Sequence, residues 1–247
     1  MIPRLAGRGA LAGLLAGLVA GLYGLVLIEP SLQRAIDLES ARAAAAGEMS
    51  DELVSRAGQH VGLVVGMAVL GLTLGALFGL AFALLHRQKE SAGSVVWRES
   101  LRLAAVGFAG LHLIAIVRYP ASPPGIGSAA TINERTNSWL LAVLVGLFAA
   151  ALAWRLAALL VERGAVQPWP TLAVAGILAA ALGLLFAALP DRPDPADFPA
   201  GLLWTFRITS FGSYLILWGG LACSFTLLTA RAARRSGAAN RSGAIAR

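Results

Sequence analysis

Two histidines are the side chains of this sequence best suited to bind a transition-metal ion. His112 lies six residues before Arg118 near the end of an apolar run, and His60 begins another such run, with Met67 two helical turns further along. A neutral imidazole is a common metal ligand, and an ionisable side chain deep in an apolar run usually faces the protein interior or an aqueous path. We select His112, His60 and Glu29 as candidate metal ligands. A hydrogen bond from His112 to a neighbouring helix is an alternative that stays open.

The longest segment that cannot be helical, between two that must be, is a loop at residues 118–136, RYPASPPGIGSAATINERT. Its three prolines remove backbone donors and fix φ, and its two glycines permit conformations closed to other residues, so the backbone leaves helical geometry here. Thr131 followed by Glu134 is a capping box, which predicts the start of the next helix. Candidate residues of the loop and pathway are Arg118, Tyr119, Pro120, Pro123, Pro124, Glu134, Arg135, Asp197 and Arg207.

The composition indicates a membrane protein. Hydrophobic residues make up 57% of the 247 and charged residues 13%, which is more apolar surface than one soluble core of this size hides. Runs long enough to cross about 30 Å of hydrocarbon at about 1.5 Å per residue lie near residues 9–28, 60–85, 101–117, 137–160, 171–189 and 202–229. We therefore predict an all-α integral membrane protein with about six transmembrane helices.

The distribution of charge predicts the topology. With the N-terminus in the cytoplasm, the inner segments contain most of the Lys and Arg residues and few acids, as the positive-inside rule requires. The net charge of +7 then needs no nucleic-acid partner. We predict a multi-pass protein of the cell membrane, with a single membrane domain over residues 1–230, a basic and disordered cytoplasmic tail over residues 231–247, and both termini in the cytoplasm.

Glycines recur every fourth residue in the first two spans. Such a ladder makes a flat groove on one helix face and lets another backbone approach closely, where no hydrophobic effect drives helices together. We expect the first two spans to pack against each other. The residues of these ladders are Gly9, Gly13, Gly17 and Gly21 in the first span, and Gly58, Gly62, Gly66, Gly71, Gly75 and Gly79 in the second.

Two acidic segments lie on the predicted outer side. Residues 29–59 are expected to form an outer helical hairpin with a solvated acidic face, and residues 190–200 form a stiff loop with four prolines and three aspartates. Arg207 follows this loop near the predicted surface. A structural ion pair of Arg207 with Asp197 or Glu134 is favoured over a role in transport.

Several chemistries lack their motifs in this sequence. There is no P-loop, no pair of intramembrane carboxylates and no Cys/His cluster with the spacing of a zinc site, and the single Cys223 allows no internal disulfide. We therefore expect no ATP hydrolysis, no permanently bound cofactor and no enzymatic activity.

The loop motif resembles a known family. The Tyr-Pro-x-x-Pro-Pro stretch from Tyr119, followed by Thr-Ile-x-x-Arg-Thr, is similar to the corresponding loop of the CbtA family of predicted cobalt transporter subunits. Two further segments resemble the same family: the glycine-rich first span ending in Glu29-Pro30, and residues 195–218, PADFPAGLLWTFRITSFGSYLILW. Residues 191–194 differ from the sequence usual in that family. The resemblance implies Co²⁺ as a transported substrate and a small single-span companion with a histidine-rich tail.

These observations leave two main hypotheses. The first is a membrane subunit that takes up cobalt, or a related divalent ion, along a path near His60, His112 and the proline-rich loop. The second is a membrane scaffold that docks the companion protein and transports nothing itself. A third, an enzyme at the outer face, would need catalytic carboxylates converging there.

Overall fold

The computed structural model describes residues 2–47, 55–86, 93–127 and 129–245, and the regular structure within these ranges is helical throughout. The elements in chain order are α1 Ile2–Tyr23, a π-helical segment Gly24–Ile28, α2 Glu29–Ala45, α3 Arg56–Leu85, α4 Gly93–Phe108, a second π-helical segment Ala109–Leu113, α5 Ile114–Arg118, a 3₁₀ turn Ala129–Thr131, α6 Ile132–Glu162, α7 Trp169–Ala188 and α8 Ala200–Ile245.

Within the described residues, six stretches of helix are long and apolar enough to cross a membrane, which confirms the predicted fold class. They are Ile2–Ala45, Arg56–Leu85, Ser94–Arg118, Ile132–Glu162, Trp169–Ala188 and Ala200–Arg235. Large aliphatic and aromatic side chains remain exposed along these helices, among them Phe148 and Leu144. Because water would penalise so much exposed apolar surface, these faces are the ones that contact lipid.

The first of these stretches is one continuous helix and not two. Residues 29–59 were expected to form an outer helical hairpin, but α1 continues through Gly24–Ile28 into α2, and residues 48–54 of the expected hairpin lie outside the described residues. Pro30 lies in the first turn of α2, directly after the π-helical segment. At that position its missing N–H matters little, because the π segment has already interrupted the regular hydrogen-bond ladder. Gly47, with φ of +74°, follows the end of the helix.

The chain divides into two compact units. The first comprises residues 1–25, 54–105 and 215–247, and the second comprises residues 26–53 and 106–214. Three of the six membrane-crossing stretches belong partly to one unit and partly to the other. The prediction of one membrane domain over residues 1–230 stays a prediction.

Within the first unit, α1 packs on α3 through glycines, as the ladder spacing predicted. A methyl group added to Gly9, Gly13 or Gly75 would collide with backbone atoms of the facing helix. Only the later glycines of the α3 ladder contact α1, since nothing lies within 4 Å of a Cβ placed on Gly62 or Gly66. Residues of the close contact are Gly9, Gly13, Gly17 and Gly21 of α1 and Met67, Ala68, Gly71, Gly75 and Gly79 of α3.

An aromatic cluster completes the core of the first unit. Phe225 of α8 is 0% exposed, and its ring meets those of Phe78 and Phe82 edge-on with centroids 5.3 and 5.0 Å apart. Phe82 also stacks on His86 at the end of α3. These aromatic contacts bury large apolar surfaces beside the glycine contact, where side chains are absent.

The second unit contains two smaller apolar clusters. Ile114, Ala115, Ala142 and Leu185 join α5, α6 and α7, and Ala35 of α2 packs with Phe198 and Leu203 at the start of α8. In the same unit Gly110 and Gly146 bring the second π-helical segment close to α6. These contacts hold the ends of α5 and α7 next to each other.

Helix α8 extends further than the sequence analysis expected. It continues to Ile245, and so includes most of the segment predicted as a disordered tail. Alanine and arginine, which are strong helix formers, are frequent after residue 230, and they favour continuation of the helix.

The glycine contact predicts a position-dependent effect of one added methyl group. Gly75→Ala should lower the free energy of unfolding by about 1–3 kcal/mol, because α1 and α3 must separate to admit the methyl group. Gly62→Ala is the matched control and should leave stability equal or slightly higher, since its surroundings are open. Thermal unfolding of the purified protein in lipid nanodiscs measures both. Equal effects of the two substitutions would contradict the packing described.

Candidate functional site

The proline-rich loop has a defined path in the second unit. Gly125 and Gly127 have φ of +79° and +95°, the left-handed region that side chains disfavour. A Cβ on Gly127 would also collide with the guanidinium of Arg135, which donates to the carbonyl oxygen of Ile126 at 3.1 Å. The two glycines therefore let the loop turn back against the first turn of α6.

The start of α6 differs from the predicted capping box. Thr131 is the N-cap residue, but its side chain makes no capping hydrogen bond. It belongs to the 3₁₀ turn Ala129–Thr131, and its φ and ψ of −101° and 6° differ from the extended conformation typical of a capping residue. Glu134, the other half of the expected box, lies 3.7 Å from Arg192.

Arg118 joins the end of α5 to the end of α7. Its Nε donates to the carbonyl oxygen of Leu185 at 3.2 Å, and its Nη2 donates to the carbonyl oxygens of Leu189 at 2.6 Å and Pro190 at 2.8 Å. The same Nη2 contacts Oδ1 of Asp191 at 2.9 Å. The last carbonyls of a helix lack partners within the helix, and a cation is favoured at that negative end of the dipole. The Leu185 carbonyl already accepts from the Leu189 N–H, so the buried Arg118, 6% exposed, adds a second bond there and supplies donors to the two carbonyls that follow the helix.

Two aromatic rings enclose the Arg118 guanidinium. The rings of Tyr119 and Phe186 have their centroids 4.7 and 4.8 Å from its central carbon. The Tyr119 hydroxyl donates to the carbonyl oxygen of Pro190 at 3.1 Å. The first two loop residues thus fix the chain after α7 by both hydrogen bonds and ring contacts.

Arg207 forms the tightest ion pair of the second unit, and its partner is not one of those expected. Its two terminal nitrogens donate to the two carboxylate oxygens of Asp194 at 2.6 and 2.7 Å, and its Nε donates to the carbonyl oxygen of Ala121 at 3.3 Å. Asp197 and Glu134 were the expected partners. Asp197 instead pairs with Arg42 of α2 at 2.9 Å.

The stretch at residues 191–194 supplies partners that sequence reasoning missed. Asp191 meets Arg118, Arg192 reaches Glu134 and the Ser138 hydroxyl, and Asp194 meets Arg207. The only sign in the sequence that this stretch forms ion pairs was its alternation of charged residues and prolines. The neighbouring residues do not indicate which distant arginine each aspartate contacts. These residues tie the loop after α7 to α5, α6 and α8.

A cavity of about 560 Å³ lies between the proline-rich loop, the first turns of α6 and residues 192–195. Four arginines, Arg118, Arg135, Arg192 and Arg207, contribute to its lining, and the one acid among the lining residues is Asp194. Sequence analysis singled out three of these arginines and missed Arg192. The cavity is therefore basic, although the segments around it are rich in acids.

His112 lies in the second π-helical segment, and its ring contacts Tyr214 with centroids 4.4 Å apart. The extra residue of a π-helical turn changes the direction of the side chains that follow it, and such turns are frequent at functional sites. Gly110 of the same segment packs closely on Gly146, so α6 supports this turn from one side. Sequence reasoning identified His112 and missed Tyr214.

The other two candidate ligands belong to other helices. Glu29 is the first residue of α2 in the second unit, and His60 lies in the second turn of α3 in the first unit. Among residues 2–47, 55–86, 93–127 and 129–245, no three His, Cys, Asp or Glu side chains form a group that could hold a metal ion. The assignment of His112, His60 and Glu29 as metal ligands stays a prediction.

The comparison with known families gives one match. A family model described as a probable cobalt transporter subunit (CbtA) matches residues 2–230. No curated protein and no solved structure matches the chain.

Removal of the Arg118 side chain should destabilise the protein. Arg118→Gln should lower the free energy of unfolding by about 1–3 kcal/mol in total, because the part-buried carbonyl of Leu189 loses its charged donor and the carbonyl of Leu185 keeps only the Leu189 N–H. Arg118→Lys should recover only part of this loss, because an ammonium group cannot reproduce the fork of the guanidinium. Arg98→Gln, at a side chain that is 63% exposed, is the control and should change little. If thermal unfolding shows the same loss of stability in Arg118→Gln as in Arg98→Gln, the contacts described for Arg118 are wrong.

The pair of Asp194 with Arg207 should make stability depend on pH on the acid side. Hydrogen bonds from Arg207 hold the pKa of Asp194 below its ordinary value. The pair therefore stabilises the fold fully above the ordinary pKa of an aspartate, about 3.5–4, and loses this effect as the pH falls through the lower folded value. The Tm difference between the natural protein and Asp194→Asn should shrink on acidification. A Tm difference between the natural protein and Asp194→Asn that stays constant with pH would refute the prediction.

Proposed function

The chain belongs to the CbtA family of probable cobalt transporter subunits, and we propose that it is the membrane-spanning subunit of a cobalt uptake system. The observation that carries this proposal is the family match over residues 2–230 of a chain with six helices able to cross a membrane. Cobalt is the transported substrate in this proposal and not a resident cofactor. A transport role requires no catalysis by the chain.

The proposed location is the cell membrane, with both termini in the cytoplasm. The excess of Lys and Arg in the segments that would face the cytoplasm supports this orientation. It puts the proline-rich loop and residues 190–200 on the outer side, where substrate arrives. The ion pairs Arg118–Asp191 and Arg207–Asp194 then hold the outer ends of the spans.

The proposed path for the metal runs past His112, with His60 and Glu29 as further contacts. Imidazole and carboxylate ligands suit several first-row divalent ions, so these side chains alone do not select cobalt. The contact of His112 with Tyr214 puts a second polar side chain at the same depth of the second unit. An ionisable side chain inside a membrane-crossing helix is costly, which supports a functional reason for its presence.

A partner protein completes the proposal. The family description names a subunit, which supports assembly with another chain. We propose a small single-span protein with a histidine-rich tail as this partner. Its imidazoles would capture the metal ion outside the bilayer and deliver it to the path near His112.

Uptake of labelled cobalt tests this function. Cells lacking other cobalt importers should accumulate more ⁵⁷Co when they express this chain together with its companion than when they carry an empty vector. His112→Ala should lower uptake at unchanged membrane abundance. His86→Ala, which removes an imidazole that contacts Phe82 and Glu99 in the first unit, is the matched control and should transport normally.

The outcomes separate the function from the assignment of its residues. Uptake equal to that of empty cells, with the protein present in the membrane, would favour the non-transporting scaffold and overturn the proposal. Uptake that persists in His112→Ala would keep the function and remove His112 from the path.

A further inference from the structure

The charge of the cavity at the proline-rich loop does not suit a free metal cation. Four guanidinium groups and one carboxylate are among its lining side chains. Asp194 and Arg207 neutralise each other through their two short hydrogen bonds. The carboxylates near Arg118 and Arg192 belong to Asp191 and Glu134, whose side chains are 84% and 63% exposed. Water screens those two partners much more than it screens the guanidiniums inside the cavity.

Arg135 has no carboxylate partner within the part of the chain that the structure describes. Its one hydrogen bond there goes to the carbonyl oxygen of Ile126. An arginine has five N–H donors in a planar fork, which fits the oxygens of a carboxylate or phosphate group. Arg135 therefore keeps donors beyond the one that holds the loop.

Arg192 provides a second, independent indication. Its Nε is buried and has no hydrogen-bond partner among the described residues, whereas its Nη2 donates to the Ser138 hydroxyl at 3.3 Å. A buried donor without an acceptor is costly and usually has an explanation such as a missing water, ion or ligand. The same guanidinium lies 5.7 Å from the centre of the Tyr119 ring, which orients it beside the cavity wall.

The backbone adds positive potential at the same place. Helix α6 begins at Ile132, and its first residues line the cavity. The N-terminus of a helix of this length carries a partial positive charge and exposes N–H groups, and both favour an anion. The volume of about 560 Å³ falls within the range of pockets for small molecules, about 300–1,000 Å³.

We propose that this cavity binds an oxyanion, a small molecule or headgroup that presents carboxylate or phosphate oxygens to Arg135 and Arg192. His112 and Tyr214 are not among the residues that line this cavity. The proposed binding does not depend on transport, because the cavity and its charges are present whether or not the chain moves cobalt.

Binding of known oxyanions tests the proposal without any metal. The full chain in nanodiscs of phosphatidylcholine is titrated with citrate and with inorganic phosphate by calorimetry. In a second arm, nanodiscs containing phosphatidylglycerol are analysed by native mass spectrometry for bound anionic lipid. Saturable binding in the first arm identifies a soluble oxyanion, and retained lipid in the second identifies a lipid headgroup.

Two variants connect the binding to this cavity. Arg135→Gln should weaken it by at least about tenfold, as expected for a hydrogen bond to a charged group, and Arg135→Lys should weaken it less. Ser122→Glu adds a negative charge to the cavity wall while keeping every arginine, so it should also abolish binding. Arg98→Gln, in the first unit, should bind as the natural protein does.

The result that overturns the proposal is clear in each arm. Absence of saturable binding of citrate, phosphate and phosphatidylglycerol to a folded protein would overturn it, as would binding whose affinity is unchanged in both Arg135→Gln and Ser122→Glu. A negative result in cobalt uptake leaves this measurement unaffected, because no cobalt is present.

Discussion

The arrangement of the second unit depends on the hydrogen bonds that hold the end of α7. A helix that stops near the membrane surface leaves carbonyl oxygens without partners, and Pro190 prevents the chain from continuing the helix. Arg118 reaches this end of α7 from another helix. It donates to the carbonyl of Leu185, which also accepts from the Leu189 N–H, and to the carbonyls of Leu189 and Pro190, which follow the last turn. Because Arg118 is also the last residue of α5, the same contact fixes where the proline-rich loop begins.

The other charged contacts follow from that geometry. Once the chain after α7 is held against α5, residues 191–194 lie beside the loop and the start of α6, where Arg192 and Asp194 find Glu134 and Arg207. Most arginines of this region are therefore used to hold segments together and not to attract a substrate. Arg135 and Arg192 are the exceptions in the cavity: among the described residues Arg135 bonds only a backbone oxygen, and the Nε of Arg192 has no partner.

The sequence predicted the membrane-spanning helices well but predicted poorly which distant residues contact each other. Apolar runs longer than the bilayer thickness identify spans by themselves, and the ladder of α1 requires a close helix contact wherever its glycines face a neighbour. Gly62 and Gly66 have the same spacing but no neighbour, because periodicity shows which residues share a face and not which helix that face meets. For the same reason the partner of Arg207 could not be predicted, since several aspartates lie within a few residues of one another.

The central claim is that Arg118 holds the proline-rich loop and the end of α7 as one structural element, and hydrogen exchange measures this directly. In Arg118→Gln, exchange mass spectrometry of the full chain in nanodiscs should show faster exchange at residues 119–127 and at residues 189–197 together, with α1 and α3 unchanged. Faster exchange confined to the residues next to position 118, or no change in the two segments, would contradict the claim.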